Sequence, residues 1–456
     1  MEEYLRPALA YIDHWLAFQM RMSEQPGCTI AVAHGGDIVF ERAYGHADLE
    51  TGTALTPRHR MRAASHTKSF TAAGILKLRE AGKLKLDDPV GATVPELHPE
   101  VAQATIGQLL SHSAGLGRDG KDSGQFQGRR PFLTTEELLA DLQAPPPVAP
   151  NTRFKYSNNG YGLLGLVIEA VAGEPYAAWL KREIVDGAGL TETDIDMPGE
   201  DGVPVATGHS GKLLLGRRVG LPGDYATDAI APAGGIVTTA KDLARFFAQL
   251  SPQAASSVLS VESRREMTRR HWRNENTSIE RHYGLGTVSG TSHGWDWFGH
   301  TGGLQGFTSR TSMVPDRDLT VAILTNAIDG WSGQWVEGAI QILSTFASRD
   351  APSETTADWE GRWWSIWGVV DLVPVKDRIL VAIPAMWAPF ADATEIEPTG
   401  PDTGRIAKCD GYNSFAEPVR RVRNDAGETD QLWLGPTQLK HEGEVADELS
   451  VMSSRP

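Results

Sequence analysis

The sequence has 456 residues, of which 58 are acidic and 43 are basic, so its formal net charge is −15 with neutral histidine. This negative balance argues against nucleic acid and anionic membranes as partners. Because an average domain has about 150 residues, the length predicts two or three folding units. The apolar share of 40% and charged share of 22% are typical of a globular protein and exclude disorder of the whole chain.

The cysteines and the N-terminus bear on the compartment. Cys28 and Cys409 lie far apart in the sequence, which leaves no disulfide framework or cysteine zinc cluster and favours a reducing compartment. Residues 1–20 carry Glu2 and Glu3 in an interrupted apolar pattern, which predicts an amphipathic helix and no signal peptide. A membrane span needs about 18 consecutive apolar residues, and no such run occurs. We therefore expect a cytoplasmic protein.

Strands are predicted near both ends of the first 350 residues. The β-rich runs 29–33 and 38–44 flank a glycine-containing loop and predict an opening hairpin. Three further β-rich runs occupy residues 295–300, 307–314 and 319–324. Since helical sequence lies between these two groups, the pattern predicts an antiparallel sheet with helices.

Helices are predicted over residues 65–81, 159–172 and 240–250, where apolar positions recur at helical spacing. Residues 115–130 are polar and glycine-rich, and residues 145–150 are rich in proline. These two stretches predict a long surface loop of the kind that often shapes a binding cleft.

The C-terminal part of the chain differs in composition from the rest. Residues 348–358 are rich in Pro, Ser and Thr and predict a linker. Residues 351–456 hold 18 acidic and 10 basic residues together with six tryptophans, and short β-like runs alternate with turns there. We therefore predict one domain over residues 1–350 and a small all-β barrel or sandwich over residues 356–456.

The sharpest local motif is Ser65-His66-Thr67-Lys68 at the start of a predicted helix. Positions three apart on a helix share a face, so Lys68 can reach Ser65. A serine hydroxyl needs a neighbouring base to become a nucleophile, and lysine is such a base only when burial or nearby positive charge lowers its pKa. The alternative is that Ser65 is an N-cap, although Glu or Gln usually occupies the position that Lys68 fills.

Two further elements favour catalysis. Tyr156 and Asn158 lie in an extended stretch where alternate side chains point the same way, so both can face Lys68. The alternative is a packed Tyr156 with Asn158 as a helix N-cap. The sequence from His300 to Gly303 contains paired glycines that can expose N–H groups as oxyanion donors, although an ordinary glycine turn has the same pattern.

Taken together, these motifs resemble the penicillin-binding protein and class C β-lactamase superfamily of serine hydrolases. The resemblance covers about residues 5–345, with support from residues 109–116 and 232–236. It implies an α/β (α+β) domain with an antiparallel sheet and a helical subdomain. The motifs in order are Ser65-x-x-Lys68, Tyr156-x-Asn158 and His300-Thr301-Gly302.

The resemblance also implies roles for individual residues. In this family the serine is acylated, the lysine and tyrosine exchange its proton, and the asparagine binds the lysine and the substrate amide. These roles fall on Ser65, Lys68, Tyr156 and Asn158, and the oxyanion donors fall on the backbone N–H groups of Ser65 and Gly303. No metal or organic cofactor is implied.

One position departs from the family pattern. β-Lactamases and penicillin-binding proteins have Lys-Thr-Gly as the third motif, and its lysine helps to recognise a substrate carboxylate. Here the position is His300, which is mostly neutral near pH 7. The change argues against efficient β-lactam hydrolysis and favours esterase, amidase or peptidyl-transfer activity. We place His300 among the catalytic candidates because it is an alternative base if Lys68 is structural.

The tail resembles the lipocalin-like domain behind the catalytic domains of certain D-amino-acid-specific peptidases and stand-alone penicillin-binding-protein-type thioesterases. Those thioesterases release and cyclise nonribosomal peptides. The match covers roughly residues 359–445, through features such as residues 359–362 and 389–392.

The favoured function is therefore a serine acyl-enzyme hydrolase or peptidyl acyltransferase of the thioesterase type. Its substrate would be a small peptide thioester, ester or amide with a D-residue at the acyl position, and a carrier protein is one way to present it. Alternatives within the superfamily are a D-aminopeptidase, a D-peptidase or a small-molecule carboxylesterase. The alternative of a different class is an inactive binding module.

Two other motifs are predicted to be coincidental. The Gly-x-Ser-x-Gly pattern around Ser292 lacks the strand-to-helix context of an α/β-hydrolase, so we expect Ser292 in a loop. The Gly-x-Gly-x-x-Gly pattern of residues 115–120 follows helical sequence and precedes a polar loop, so no dinucleotide site is implied. The histidines show no metal-binding spacing.

Overall fold

A computed structural model describes most of the chain and divides it into two compact units. The larger unit is Gln25–Val336, and the smaller unit joins Met1–Glu24 to Glu337–Pro456. The contacts thus group the first helix with the tail, and the boundary predicted between residues 350 and 356 stays a prediction. The described residues are 2–197, 202–221, 223, 225–275 and 277–454.

The helices and strands of the described residues are numbered in chain order. The α-helices are α1 (Leu5–Ser23), α2 (Thr67–Glu80), α3 (Pro99–Ala102), α4 (Ile106–Leu110), α5 (Thr135–Asp141), α6 (Asn158–Ala172), α7 (Tyr176–Leu180), α8 (Ala231–Gly234), α9 (Ala240–Gln249), α10 (Val261–Thr268), α11 (Ser332–Arg349) and α12 (Glu442–Ser453). The strands of the larger unit are β1 (Gly27–His34), β2 (Asp37–Asp48), β3 (Thr53–Ala54), β4 (Met61–Arg62), β5 (Asp194–Ile195), β6 (Gly208–His209), β7 (Gly220–Leu221), β8 (Ile236–Thr238), β9 (Trp272–Arg273), β10 (Arg281–Tyr283), β11 (Val288–Ser292), β12 (Trp295–Leu304), β13 (Phe307–Val314) and β14 (Leu319–Thr325). The strands of the smaller unit are β15 (Gly361–Ser365), β16 (Gly368–Val375), β17 (Arg378–Ala382), β18 (Thr394–Gly400), β19 (Thr403–Lys408), β20 (Pro418–Arg423), β21 (Thr429–Leu434) and β22 (Thr437–Leu439).

The larger unit is built on a nine-stranded sheet with the order β3-β2-β1-β14-β13-β12-β11-β10-β9. Strands β1 and β14 pair antiparallel at its centre, with Ile30 opposite Ile323, so the two ends of the unit meet there. Both strands are buried along almost their whole length, and α9 packs against them. The predicted antiparallel sheet and the opening hairpin, formed by β1 and β2, are confirmed.

Helix α2 is the central helix of the larger unit. Its residues from Thr67 to Leu76 are all buried, and it packs against α6 and α8. The sequence predicted a helix from Ser65, but the α-helix begins at Thr67 because Ala64–His66 forms a 3-10 turn. Ala64 has a φ of +51°, a left-handed conformation that an α-helix does not contain. The other two predicted helices are α6 and α9.

The long loop predicted from the sequence lies in the larger unit before α6. Residues 115–130 are irregular apart from the 3-10 turn Gly124–Gln127, as predicted. No single helix of the described chain has the length and apolar composition of a bilayer span. The two helical segments Asn158–Ala172 and Tyr176–Asp186 reach that length and composition only when they are taken together, and the chain bends between them.

The smaller unit contains an eight-stranded antiparallel barrel, which confirms the predicted β domain. Strands β15 to β22 follow one another in sequence order, and reciprocal backbone hydrogen bonds between Trp364 and Lys440 join the first strand to the last. Trp359 and Trp363 lie in its buried core. The predicted amphipathic N-terminal helix is α1, whose Tyr11 donates a hydrogen bond to Asp371 at 3.2 Å.

The barrel offers a test of buried charge. The side chain of Arg421 is only 1% exposed and pairs with Asp358 at 3.0 Å and Asp402 at 3.1 Å. Arg423 pairs with the same carboxylates, but its side chain is 32% exposed. Arg421→Ala should lower the free energy of unfolding by about 2 to 3 kcal/mol, because it removes a desolvated charge partner and leaves a cavity.

The matched variant Arg423→Ala should lower the free energy of unfolding by less than Arg421→Ala does, since water screens its ion pairs. Urea unfolding followed by tryptophan fluorescence measures both effects. Equal losses for the two variants would contradict the burial argument.

Candidate active site

The predicted nucleophile, Ser65, is half-buried in the 3-10 turn between β4 and α2. The preceding residue, Ala64, is held in its left-handed conformation by hydrogen bonds around it: Thr67 Oγ1 donates to the Ala64 carbonyl at 2.6 Å. The carbonyl of Ala63 accepts from Ser309 Oγ at 3.0 Å. Backbone strain of this kind persists only when the surroundings fix it, and here it presents the Ser65 hydroxyl at the surface of a cleft.

Lys68 lies one turn along the chain from Ser65 and is completely buried. Its Nζ contacts Asn158 Oδ1 at 2.8 Å, the Ala233 carbonyl at 2.8 Å and Ser65 Oγ at 3.4 Å. Burial lowers the pKa of Lys68 well below its ordinary value, the charge of Asp119 raises it in part, and Arg118 lowers it further. The environment therefore favours an uncharged amine.

An uncharged amine fits these three contacts by its hydrogen-bonding capacity. The neutral Lys68 Nζ has two N–H donors and one lone pair. Asn158 Oδ1 and the Ala233 carbonyl can only accept, so they take the two donors. The lone pair is then left for the hydroxyl proton of Ser65, which is the arrangement that a general base requires.

Tyr156, just before α6, and Asn158, the first residue of α6, reach the same site. The Tyr156 hydroxyl donates to Ser65 Oγ at 2.9 Å, and burial raises the pKa of this phenol, so it stays protonated. Asn158 Nδ2 donates to Asp119 Oδ1 at 2.6 Å, which fixes the orientation of the amide. The N-cap of α6 is Ser157, so the alternative that Asn158 is the cap is wrong.

The motif at residues 109–116 supports this segment from behind. The Nδ1 atom of His112 accepts the Ser157 N–H at 3.1 Å. The His112 ring lies 4.3 Å from the Tyr156 ring, measured between centroids. Both contacts restrict the residues on either side of Ser157, so His112 helps to place Tyr156 and Asn158.

His300 is buried in the wall of the cleft and does not contact Ser65 directly. Its Nε2 hydrogen-bonds the Tyr283 hydroxyl at 3.0 Å, and its Nδ1 lies 2.7 Å from the Thr301 carbonyl. Burial lowers the pKa of His300 well below its ordinary value, and nearby His66 lowers it further, so the imidazole is neutral. A catalytic role for His300 stays a prediction.

The paired glycines of β12 have different surroundings. A Cβ atom on Gly302 would lie 2.1 Å from the Ala63 carbonyl oxygen and 2.3 Å from Ser309 Oγ, so only glycine allows β12 this close to the serine turn. A Cβ atom on Gly303 would meet nothing within 4 Å. Gly303 and Ser65 line one cleft of about 460 Å³, as the predicted oxyanion donors require.

The structure thus gathers all six predicted residues around one cleft and adds others that the sequence did not single out. Asp119 and the Ala233 carbonyl contact the catalytic groups directly, and Tyr283 binds His300. The motif at residues 232–236 was the available signal for Ala233. Asp119 fell inside the glycine pattern that was set aside as coincidental.

The prediction that Ser292 lies in a loop is wrong. Ser292 is the last residue of β11 and is buried, because it pairs with Trp295 at the start of β12. It therefore lacks the strand-to-helix position of an α/β-hydrolase nucleophile. Within the described part of the chain, no group of three or more His, Cys, Asp or Glu side chains is placed to hold a metal ion.

Comparisons with known proteins agree with this geometry. The family described as Beta-lactamase matches residues 12–333. Protein flp of Staphylococcus aureus (strain NCTC 8325 / PS 47) is 24% identical over 73% of this chain, and the chain spans only 65% of that relative's length. Penicillin-binding protein 4 of Amycolatopsis lactamdurans is 29% identical over 66% of this chain and 81% of its own length.

Solved structures resemble both units. The octameric penicillin-binding protein homologue from Pyrococcus abyssi is 24% identical and covers 95% of this chain and 99% of its own, with a TM-score of 0.66. SurE is 23% identical and covers 95% of this chain and 98% of its own, with a TM-score of 0.62. A D-stereospecific amidohydrolase from Streptomyces sp. is 25% identical and covers 72% of this chain and 96% of its own, with a TM-score of 0.59. The predicted superfamily is therefore confirmed.

The charge of Asp119 should be visible in the pH dependence of acylation. The rate should rise with pH through the pKa of Lys68, because only the uncharged amine can accept the Ser65 proton. Asp119 raises that pKa, so Asp119→Asn should move the acidic limb to lower pH. Asparagine keeps the oxygen that accepts from Asn158.

The matched control for this test is Asp122→Asn, since Asp122 is a nearby carboxylate whose side chain is 56% exposed. Stopped-flow acylation rates between pH 5 and 10 give both profiles. A limb that moves to higher pH in Asp119→Asn, or equally in both variants, would contradict the assignment of Lys68 as the base.

The two glycines of β12 give a second test. Gly302→Ala should lower the acylation rate by about tenfold or more, because the new methyl group pushes the turn that carries Ser65. Gly303→Ala should keep near-normal rates, since its methyl group enters open space and its N–H is retained. The same rate assay, with the melting temperature as a folding control, compares the two. Equal effects would show that the approach at Gly302 is not needed.

Proposed function

Because the chain belongs to the Beta-lactamase family, we propose that this serine hydrolase forms an acyl-enzyme on Ser65 with a peptide thioester, ester or amide as the acyl donor. The observation that carries the proposal is the contact of Ser65 Oγ with the fully buried amine of Lys68 on one side and with the Tyr156 hydroxyl on the other. Burial lowers the pKa of Lys68 and raises that of Tyr156. A base and an acid therefore meet at one hydroxyl group.

The reaction follows from these contacts. Ser65 Oγ attacks the carbonyl carbon while its proton moves to Lys68 Nζ, and the N–H groups of Ser65 and Gly303 stabilise the oxyanion. The carbon–leaving-group bond then breaks. The leaving thiolate, alkoxide or amine takes a proton from the Tyr156 hydroxyl, and the Lys68 ammonium replaces it. Water or an amine then attacks the acyl-enzyme and gives its proton to the neutral Lys68 amine, which passes it to Ser65 Oγ as the ester bond breaks.

The favoured specialisation is a stand-alone thioesterase that releases or cyclises a nonribosomal peptide with a D-residue at the acyl position. The donor would be a small peptide or a peptidyl thioester on a carrier protein in the cytoplasm. The D-configuration is supported by the name of the amidohydrolase, which is D-stereospecific and 25% identical to this chain. The barrel supports the comparison with thioesterases that carry a lipocalin-like domain.

A D-aminopeptidase or D-peptidase is the second candidate, because the same amidohydrolase name favours amide donors as well. A carboxylesterase for small molecules would use the same Ser65 chemistry. An inactive binding module is disfavoured, since the contacts of Ser65, Lys68 and Tyr156 form a complete base and acid pair.

Matched peptide thioesters ending in a D- or an L-residue test this proposal. Mass spectrometry of the intact protein should show an acyl adduct on Ser65, formed about tenfold or more faster with the D-residue. Ser65→Ala should form no adduct, and Ser292→Ala should form it at the normal rate. Long donors with a free amine should give some cyclic product, because an amine of the bound acyl chain has a high effective concentration.

The outcomes separate the levels of the proposal. Absence of any adduct on Ser65 would overturn the acyl-enzyme assignment. Equal rates for both configurations would remove the stereochemical claim, and exclusively linear products across several peptide lengths would leave an ordinary hydrolase. Faster turnover of the matched amides than of the thioesters would favour the D-peptidase.

A further inference from the structure

The charged groups in the wall of the catalytic cleft are unusual for so acidic a protein. The described lining includes Arg118 and Arg281 but no aspartate or glutamate. The chain as a whole carries a net charge of −15. A cleft lined by one sign of charge concentrates ligands of the opposite sign, so this cleft favours an anionic substrate.

The two arginines differ in their partners. Arg118 is exposed and lies 3.4 Å from the carboxylate of Asp119, which offsets much of its charge. Arg281, at the start of β10, is half-buried and has no carboxylate partner among the residues that the structure describes. Its Nε is buried and has no hydrogen-bond acceptor there. A half-buried guanidinium without a counterion is costly, and a bound anion would remove that cost.

The neighbours of Arg281 do not supply this anion. The carboxylate of Glu280, which precedes Arg281 in the sequence, lies 3.5 Å from His282. Arg273, which is opposite His282 on β9, adds positive charge instead. The Tyr283 hydroxyl is bound to His300. Arg281 is therefore the group in this wall that is free to form a paired hydrogen bond with a carboxylate or phosphate.

The position of Arg281 indicates which part of a substrate it meets. Strand β10 is two places from β12 in the sheet, and Arg281 aligns through Gly290 with Trp297, six residues before Gly303 on β12, so the backbones of Arg281 and Gly303 lie roughly 20 Å apart. An anion at Arg281 is thus several bonds from the reacting carbonyl. The leaving groups of both proposed donor types carry such an anion: the phosphate of a pantetheine arm or the terminal carboxylate of a peptide.

We propose that Arg281 forms an anion-binding subsite for the leaving group, which takes a carboxylate or phosphate remote from the reacting carbonyl. This inference rests on the proposed acyl-enzyme function but can be tested without turnover. It also names a specificity-determining residue that the sequence motifs did not include. Binding would use the planar guanidinium, so lysine should replace it only in part.

The test measures equilibrium binding to the Ser65→Ala protein by calorimetry, so that no ligand is consumed. One ligand pair is a D-configured tripeptide with a free carboxylate and its C-terminal amide. The other pair is phosphopantetheine and pantetheine. In one pair or both, the anionic member should bind about tenfold tighter than the neutral member. Adding Arg281→Gln should bring that ratio close to one, and Arg281→Lys should restore it in part.

The matched control is Arg273→Gln, which removes the same charge from an exposed position on the neighbouring strand. It should keep the preference for the anion. Loss of the preference in both variants would show a general charge effect and would overturn the subsite. Equal binding of anionic and neutral ligands to the Ser65→Ala protein with both arginines intact would overturn it as well. The pair that responds to Arg281 distinguishes a peptide carboxylate from a phosphate. Failure of acylation at Ser65 would overturn the proposed function alone.

Discussion

The whole site depends on the cost of burying the amine of Lys68. A charged ammonium in this position would meet an amide oxygen and a backbone carbonyl but, among the residues that the structure describes, no carboxylate in direct contact. Because neither partner repays the loss of hydration, burial lowers the pKa of Lys68, which is what a general base at this position requires. The packing of α2 on all sides is therefore part of the chemistry, since it keeps water from Lys68.

The same constraint explains why segments that are distant in sequence must be placed accurately around Lys68 and Ser65. Lys68 takes its acceptors from the first residue of α6 and from α8, and Ser65 is placed by a turn that β12 approaches closely. The strain at Ala64 and the absence of a side chain at Gly302 both serve this approach. Packed elements of this kind do not deform gradually, so a small substitution away from Ser65 should still change the reactivity of the Ser65 hydroxyl group.

Local patterns predicted the elements and the motif residues, because periodicity and turn chemistry are properties of short segments. They predicted the ends of α6 and α9 to within a residue or two, and they predicted that Tyr156 and Asn158 face Lys68. They missed the 3-10 turn at Ser65, which depends on contacts with β13 and β8. They also missed the cap at Ser157 and the strand position of Ser292, although the contacts of both are local. A backbone carbonyl such as that of Ala233 carries no residue-type signal of its own, so only the motif at residues 232–236 pointed to it.

The electrostatics of the cleft give a reason for His300. A lysine at this position would place a permanent charge beside Lys68, whereas a buried imidazole hydrogen-bonded to Tyr283 stays neutral. The reacting centre is therefore surrounded by uncharged groups, and the permanent positive charge lies farther away, on Arg281 of β10 and Arg118. Replacing the family lysine thus moves the cation of the cleft away from the reacting carbonyl. A site arranged in this way selects substrates by an anion at a distance from the bond that breaks.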